Sequence, residues 1–423
     1  MLAGHVSGPS LRRNFVWAFT GSVVLAAGQL LIPILITKLA GSDEDGASQV
    51  GAWTLASAIT GPLFVFFLFK LRVLQTTDGK GEHAWSTYAS VRLWSMIIAT
   101  AVTAVIVLTR YRSAVGLVVL GAALAKAFEG GSDILYGVLQ RHERLDRVSR
   151  SQVARGLASL LAAAVVLVAT RSIALGSLTV AAVYAVGFAW DARATYRLYD
   201  LERPRWDSLA IKRLLRQCGP LGFVTAIGSL QTNIPRYFLE HQATRAELGV
   251  FGMMQNLLAL GALIINAIAY AALARLARHA AAEEWGAFAR TLRRLVLTGT
   301  GLALVVVLLT YLLSEPVLRL AFNDRFAGQH GVMTWMAVTS GLVWMYLFFG
   351  TALDAMRRYR LQPWIHGIST AVIAVACVWM VPRWGLYGAT WAMLTGYAVE
   401  CAMFVVAVAL PLRSSLRGHG ALA

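Results

Sequence analysis

The stretch Lys126-Ala-Phe-Glu129-Gly-Gly-Ser-Asp133-Ile-Leu-Tyr136-Gly-Val-Leu-Gln140 places a lysine and two acids inside an otherwise apolar segment. An α-helix turns about 100° per residue. On that period Lys126, Glu129, Asp133, Tyr136 and Gln140 fall within about 80° of one another. The segment reads as an apolar cylinder carrying a single polar stripe, so the reading of the chain turns on what that stripe faces.

Composition sets the surroundings. The chain has 423 residues, of which 58% are hydrophobic and 14% charged, against roughly 25% charged in a soluble domain. Much of its surface therefore does not face water. Apolar runs such as Phe15 to Ile36, Ala52 to Phe69 and Leu295 to Leu313 approach or reach the roughly 20 residues that a bilayer-spanning helix needs. The fold class expected is an all-α polytopic membrane protein with about twelve transmembrane helices, at 14–39, 48–74, 88–109, 113–137, 151–170, 173–198, 215–239, 246–274, 290–313, 329–353, 361–381 and 385–410. The run after Arg12 and Arg13 is too long for the apolar core of a signal peptide and reads as a retained first helix. Cys218, Cys377 and Cys401 are isolated in apolar context, which predicts structural thiols, no disulfide framework and no metal site.

The formal net charge of +17 is distributed by loop. One alternating set of loops holds Arg141, Arg144, Arg147 and Arg150, the run from Arg193 to Arg216, the run from Arg275 to Arg294, and Arg357, Arg358 and Arg360. The opposite set holds isolated arginines such as Arg110, Arg171 and Arg383, and its first loop, Gly41-Ser-Asp-Glu-Asp-Gly46, is acidic. The positive-inside rule then predicts both termini in the cytoplasm. The same pattern accounts for the basic charge without nucleic acid and makes anionic lipids the expected neighbours of the inner loops.

The polar connector Tyr199 to Leu214 follows the sixth helix. It suggests an N-terminal six-helix bundle over residues 1–200, a cytoplasmic linker over 201–214 and a C-terminal six-helix bundle over 215–423. Gln29-Leu-Leu-Ile-Pro33 matches Gln231-Thr-Asn-Ile-Pro235, and Arg171-Ser-Ile-Ala-Leu-Gly176 matches Arg383-Trp-Gly-Leu-Tyr-Gly388, in the order a six-plus-six repeat requires. Pro33, Pro62, Pro220 and Pro235 lie inside spans. Each removes a backbone hydrogen bond, giving either a tolerated kink or a bend point for opening and closing.

Several whole segments carry a family likeness: Gly61-Pro-Leu-Phe-Val-Phe-Phe, Leu71-Arg-Val-Leu-Gln-Thr-Thr-Asp78, Tyr88-Ala-Ser-Val-Arg92, the stretch from Lys126 to Arg144, Asn233-Ile-Pro-Arg-Tyr-Phe238 and Val381-Pro-Arg-Trp-Gly-Leu-Tyr-Gly388. Together they resemble the bacterial polysaccharide-biosynthesis flippases, the O-antigen or Wzx-type branch of the multidrug/oligosaccharidyl-lipid/polysaccharide (MOP) superfamily. The resemblance implies two bundles around a central cavity and movement of a polyprenyl-diphosphate-linked oligosaccharide across the bacterial inner membrane by alternating access. It brings no catalytic residues with it. Expected partners are the lipid-linked glycan and other membrane proteins of polysaccharide assembly.

On this reading the residues divide by task. Lys126, near mid-membrane, either pairs internally with Glu129 or meets the diphosphate. Glu129, Asp133 and Glu400 are candidates for proton or sodium coupling, with no other cofactor expected. For Asp133 the alternative is an interfacial ion pair near Arg144 and Arg147; for Glu400 it is a buried hydrogen bond. Arg236 and Lys38 either snorkel to the interface or grip phosphate. Gln29, Gln231, Asn233, Gln255, Asn256 and Asn266 either bond sugar hydroxyls or tie helices together. Arg92 and Arg155 read as interfacial anchors. Two rival functions are a cation-coupled multidrug exporter of the same architecture and a membrane glycosyltransferase or polymerase. Short outer loops weigh against the latter, and the absence of GxxxxGK[ST] weighs against nucleotide hydrolysis within the chain.

Overall fold

The computed structural model describes residues 11–39, 43–78, 81–111, 113–321 and 327–420. Lys80, Arg112, Arg325 and residues 41–42 of the acidic loop lie outside the described residues, as do the side chains of Arg12, Arg13, Arg413 and Arg417. The described residues contain helices and no strand. They form α1 (Leu11–Leu39), α2 (Asp43–Leu68), α3 (Leu71–Thr77), α4 (Trp85–Arg110), α5 (Ala114–Arg141), α6 (Leu145–Thr170) and α7 (Ile173–Tyr199). The chain continues through α8 (Ser208–Gln242), α9 (Arg245–Ala281), α10 (Trp285–Ala321), α11 (His330–Ala355) and α12 (Gln362–Gly420). Gly385, at φ 52° and ψ −122°, folds α12 into two limbs.

Among the described residues, ten helical stretches are long and apolar enough to cross a membrane. The last of them is the doubled α12, and α8 adds a further span whose amides and charges lower its hydropathy, so twelve spans result. The lipid-facing surfaces show as exposed apolar stripes at helical spacing. On α6, Leu157, Leu161, Val165 and Val168 are 50%, 65%, 67% and 64% exposed. Such a stripe, on a helix long and apolar enough to span, is the kind of face that hydrocarbon covers. The chain is a multi-pass membrane protein.

Two compact units are present, Met1–Ser229 and Leu230–Ala423. Their boundary falls within α8. The connector before that helix is also shorter than the sequence suggests, because α8 starts at Ser208 rather than near 215. The Asp207 carboxylate accepts hydrogen bonds from the Leu209 and Ala210 amides at 3.0 and 3.1 Å, which starts the helix early. Ile211, Leu214 and Cys218 then bury against Leu71, Tyr88 and Leu135, which holds that first stretch in place within the first unit.

The helices continue through Pro33, Pro62, Pro220 and Pro235. The backbone breaks lie elsewhere, at left-handed residues that recur in the order of the spans. Lys70 (φ 50°) and Glu283 (φ 56°) follow the second and eighth spans; Glu143 (φ 56°) and Arg357 (φ 57°) follow the fourth and tenth; Arg171 (φ 50°) and Gly385 (φ 52°) follow the fifth and eleventh. This recurrence supports the six-plus-six repeat more firmly than the side-chain matches do. The same pattern ties the ends of each half together: Gln29 donates to the Tyr184 hydroxyl of the sixth span, and Gln231 donates to Glu400 of the twelfth.

Close helix crossings rest on glycine, as expected where lipid supplies no hydrophobic drive between helices. At the crossing of α1 and α6, a Cβ on Gly28 would lie 2.8 Å from the Gly156 carbonyl oxygen, a backbone atom. Gly28→Val is expected to destabilise the detergent-solubilised protein by about 1–3 kcal/mol through overpacking, read as a lower unfolding temperature. Gly219→Ala, where a Cβ meets nothing within 4 Å, is expected to cause no such loss.

Candidate functional site

In the first unit, the α5 stripe meets a different neighbour at each level. At mid-helix Lys126 Nζ lies 2.8 Å from Glu129 Oε2, as i, i+3 spacing allows. The pair is not sealed in: the two side chains are 42% and 30% exposed. One turn further, Asp133 accepts from Arg92 at 3.1 Å and from Arg72 at 3.5 Å. The expected partners near Arg144 and Arg147 are not the ones it meets, because α3 and α4 deliver arginines to its face of α5 while Arg144 is held by Asp146 at 2.9 Å. Gln140 closes the stripe by accepting from Arg72 Nε at 3.1 Å.

Behind the stripe lies a second, buried set. Arg155 on α6 donates to Asp191 on α7 at 2.7 Å and to Ser132 at 2.8 Å. The Tyr136 hydroxyl donates to Asp191 at 3.1 Å and shares a hydrogen bond with Ser151 at 2.8 Å. Arg155 also stands over the ring of Tyr184, 5.1 Å from its centroid. Gly187 makes this approach possible, since a Cβ there would sit 3.0 Å from Arg155 Nε. Arg155 and Arg92 are 4% and 2% exposed. They are internal ion-pair members rather than the interfacial anchors their positions near the helix ends suggest. Within this cluster Arg72, Arg92 and Arg155 face two carboxylates, Asp133 and Asp191, so one positive charge is left without a counter-charge. Arg92 Nε and Nη1 are buried with no hydrogen-bond partner among the described residues.

In the second unit, Glu400 is fully buried on the second limb of α12. One of its oxygens accepts from Gln231 of α8 and from Ser369 Oγ, the latter at 2.9 Å. The other lies 2.6 Å from His366 Nδ1, close but not aligned as a hydrogen bond. The carboxylate thus finds its partners on α8 and on the first limb of α12, one of the two environments open to a lone acid in a span. His366 lines a cavity of about 230 Å³ together with Asn266, Asp354 and Gln362. Asn266 itself donates to the Ala262 carbonyl of its own helix at 2.8 Å.

A separate cavity of about 340 Å³ in this unit is lined by Thr232, Arg236, Gln255, Asn256, Trp344 and Tyr397, among others. Tyr346 borders both cavities, stacked between Tyr397 and Phe404 with ring centroids 6.1 and 5.6 Å away. Arg236 is held inside the wall of this cavity. It is 9% exposed, and it donates to Gln255 Oε1 at 2.7 Å and to Asn233 Oδ1 at 3.2 Å.

Of the residues singled out from the sequence, the structure brings Gln231 and Glu400 into one network, and Arg236, Asn233 and Asn256 to one cavity or its wall. Lys38 is exposed at the end of α1. Gln29 is occupied by Tyr184 at 3.2 Å. Asp191, Arg72, His366 and Ser369 escaped notice. Asp191 and Arg72 sit near the ends of expected helices, where interfacial charges are common, and nothing local marks His366 or Ser369 as facing an acid 31 or more residues away.

The buried Arg155–Asp191 pair supports a stability test. Arg155→Gln is expected to destabilise the protein by about 3–5 kcal/mol, because it strands a buried carboxylate, whereas the paired change Arg155→Met with Asp191→Leu recovers most of that loss. Thermal unfolding of the three proteins in one detergent checks this.

Comparison with known proteins adds the family context. No family profile matches the chain. Over 382 residues the chain is 26% identical to the capsular polysaccharide biosynthesis protein CapF of Staphylococcus aureus, an alignment covering 89% of this chain and 94% of that protein. The lipid II flippase MurJ, in an inward closed conformation, superposes with a TM-score of 0.76 at 9% identity, covering 93% of this chain and 87% of that one. An inward-facing multidrug resistance MATE family transporter of the MOP superfamily superposes at 0.68 and 12% identity, covering 93% and 99%. The Vibrio cholerae MATE transporter VcmN superposes at 0.64 and 14% identity, covering 96% of each chain. The chain has the fold of the MOP-superfamily transporters, and its sequence likeness falls, as its segments suggested, on a protein of polysaccharide biosynthesis.

Proposed function

We propose that this protein is a flippase that moves a polyprenyl-diphosphate-linked oligosaccharide across the bacterial inner membrane by alternating access, with both termini in the cytoplasm. The observation that carries the mechanism is the partly exposed Lys126–Glu129 pair at the centre of a membrane-spanning helix. An ionised group at that depth costs roughly 2.5–3.5 kcal/mol on insertion scales if it meets hydrocarbon. Its exposed face therefore belongs to a water-filled path. The likeness to CapF, named for capsular polysaccharide biosynthesis, and the fold shared with the lipid II flippase MurJ support a lipid-linked glycan as the cargo.

The chemistry asked of the protein is modest. The lipid tail can stay in the bilayer, while the diphosphate and glycan must be kept out of it. Cations and amides along a wet cavity meet that need, and no covalent bond is made or broken. The two compact units, Met1–Ser229 and Leu230–Ala423, would act as the moving bodies, joined within α8. Lys126 is the proposed diphosphate contact, with the uncompensated charge of the Arg72–Arg92–Arg155 cluster attracting the anion toward that face. Glu400 with His366 is the proposed coupling centre for a proton or sodium ion, since it is a buried acid reached through a histidine that lines a cavity.

A direct test reconstitutes the purified protein into vesicles with a fluorescent lipid-linked oligosaccharide on one leaflet and follows its exposure to a membrane-impermeant quencher. Transfer between leaflets supports the reading. No transfer, together with efflux of a cationic dye, favours the multidrug exporter; glycosidic bond formation in the same vesicles favours the enzyme. Lys126→Ala is expected to slow transfer about tenfold or more at unchanged expression, the scale of losing one charge-assisted hydrogen bond. Glu400→Gln is expected to leave downhill transfer intact while removing the response to an imposed proton or sodium gradient. Wild-type gradient dependence in that variant would dismiss Glu400 as the coupling group.

A further inference from the structure

We infer that the 340 Å³ cavity of the second unit is a subsite for an anionic sugar residue, one bearing a carboxylate, within the transported glycan. This rests on the flippase reading and adds a substrate class to it. The starting observation is Arg236. It is buried in the wall of a cavity inside a membrane protein, and no carboxylate stands within ion-pair distance of it among the described residues. Its two hydrogen-bond partners, Gln255 and Asn233, are neutral amides. They orient the guanidinium without neutralising it. Of the five N–H donors of an arginine, these bonds engage Nε and one on Nη1, which leaves the remaining donors for a ligand.

A buried cation lacking a counter-ion is unfavourable by itself, and removing one member of such a pair is among the most destabilising of changes. A protein that places one there needs an anion from outside. No Asp or Glu lines the cavity. The nearby acid, Glu400, is already engaged by Gln231, Ser369 and His366.

The rest of the lining says which anion. Trp344, Tyr346 and Tyr397 present aromatic surface, and Gln255, Asn256 and Ser340 present hydrogen-bonding groups. A pyranose ring offers the complement of both, an apolar C–H face and a rim of hydroxyls. A planar carboxylate matches the guanidinium fork in two parallel hydrogen bonds. A diphosphate fits less well, because it brings at least two negative charges to a single cation and has no use for the aromatic walls. The bland alternative, a structural arginine balanced by water or chloride, lacks any account of why amides, hydroxyls and aromatic faces converge with it on one cavity.

The test uses the full-length protein in detergent and follows tryptophan fluorescence on titration with methyl glucuronide, methyl glucoside and inorganic pyrophosphate. The expected result is saturable binding of the glucuronide, with the glucoside weaker by about tenfold or more, the loss of one charge-assisted interaction. Arg236→Gln is expected to erase that preference, and Arg236→Lys to keep part of it. Equal binding of glucuronide and glucoside by the unmodified protein overturns the inference, whatever the variants do and whether or not they fold. So does pyrophosphate displacing the glucuronide with higher affinity at the same site, or no binding at all. The two readings fail separately: lipid-linked glycan transfer without a carboxylate preference leaves the flippase standing and removes the subsite. Glucuronide binding without any transfer leaves the subsite standing and removes the flippase.

Discussion

The constraint on which this structure depends is that a charge within a membrane span must be paired, hydrogen-bonded or wetted. The two units meet it in different ways. In the first, arginines and aspartates from α3 to α7 are paired, with Arg155–Asp191 as the buried centre and Asp133 shared between Arg72 and Arg92, which leaves one positive charge in excess. In the second, Glu400 is satisfied by neutral donors and a histidine, while Arg236 is held by amides alone. One unit is thus an ion-paired scaffold with one pair turned outward, and the other keeps an acid and a base apart, each in a neutral polar setting.

Arg236 and Glu400 lie in the same unit, and an ion pair between them would silence both. Instead Gln231 and Ser369 occupy the acid, Gln255 and Asn233 occupy the arginine, and the stacked Tyr346, Tyr397 and Phe404 form an aromatic partition beside the two cavities. In the first unit the Arg155–Asp191 pair is buried on both sides, whereas Asp133 and its partner Arg72 stay partly exposed.

Much of the architecture was legible in the residues. Span number, the alternation of basic and sparse loops, and the polar stripe on α5 follow from local composition and a 100° period. The repeat was visible in fragments such as Gln29–Pro33 and Gln231–Pro235, and it strengthened once the left-handed links at Glu143 and Arg357, and at Arg171 and Gly385, were seen to recur. The prolines stand out in sequence, α1, α2 and α8 run on past them, and left-handed backbone appears instead at Lys70 and Gly385.

By itself the sequence determined that this is a membrane protein of about twelve apolar helices, and which of its polar residues must lie within them, because hydropathy and helical period are local properties. Only the tertiary structure decided which charges meet. Arg92 and Arg155 passed for anchors because their distance from a helix end was readable and their rotation toward a neighbour was not. Glu400 lacked a visible partner because Gln231, Ser369 and His366 come from other spans or limbs, 169, 31 and 34 positions away in the chain. Helix rotation and neighbour choice are set by packing over the whole bundle, through crossings such as Gly28 against Gly156, and no single segment carries that information.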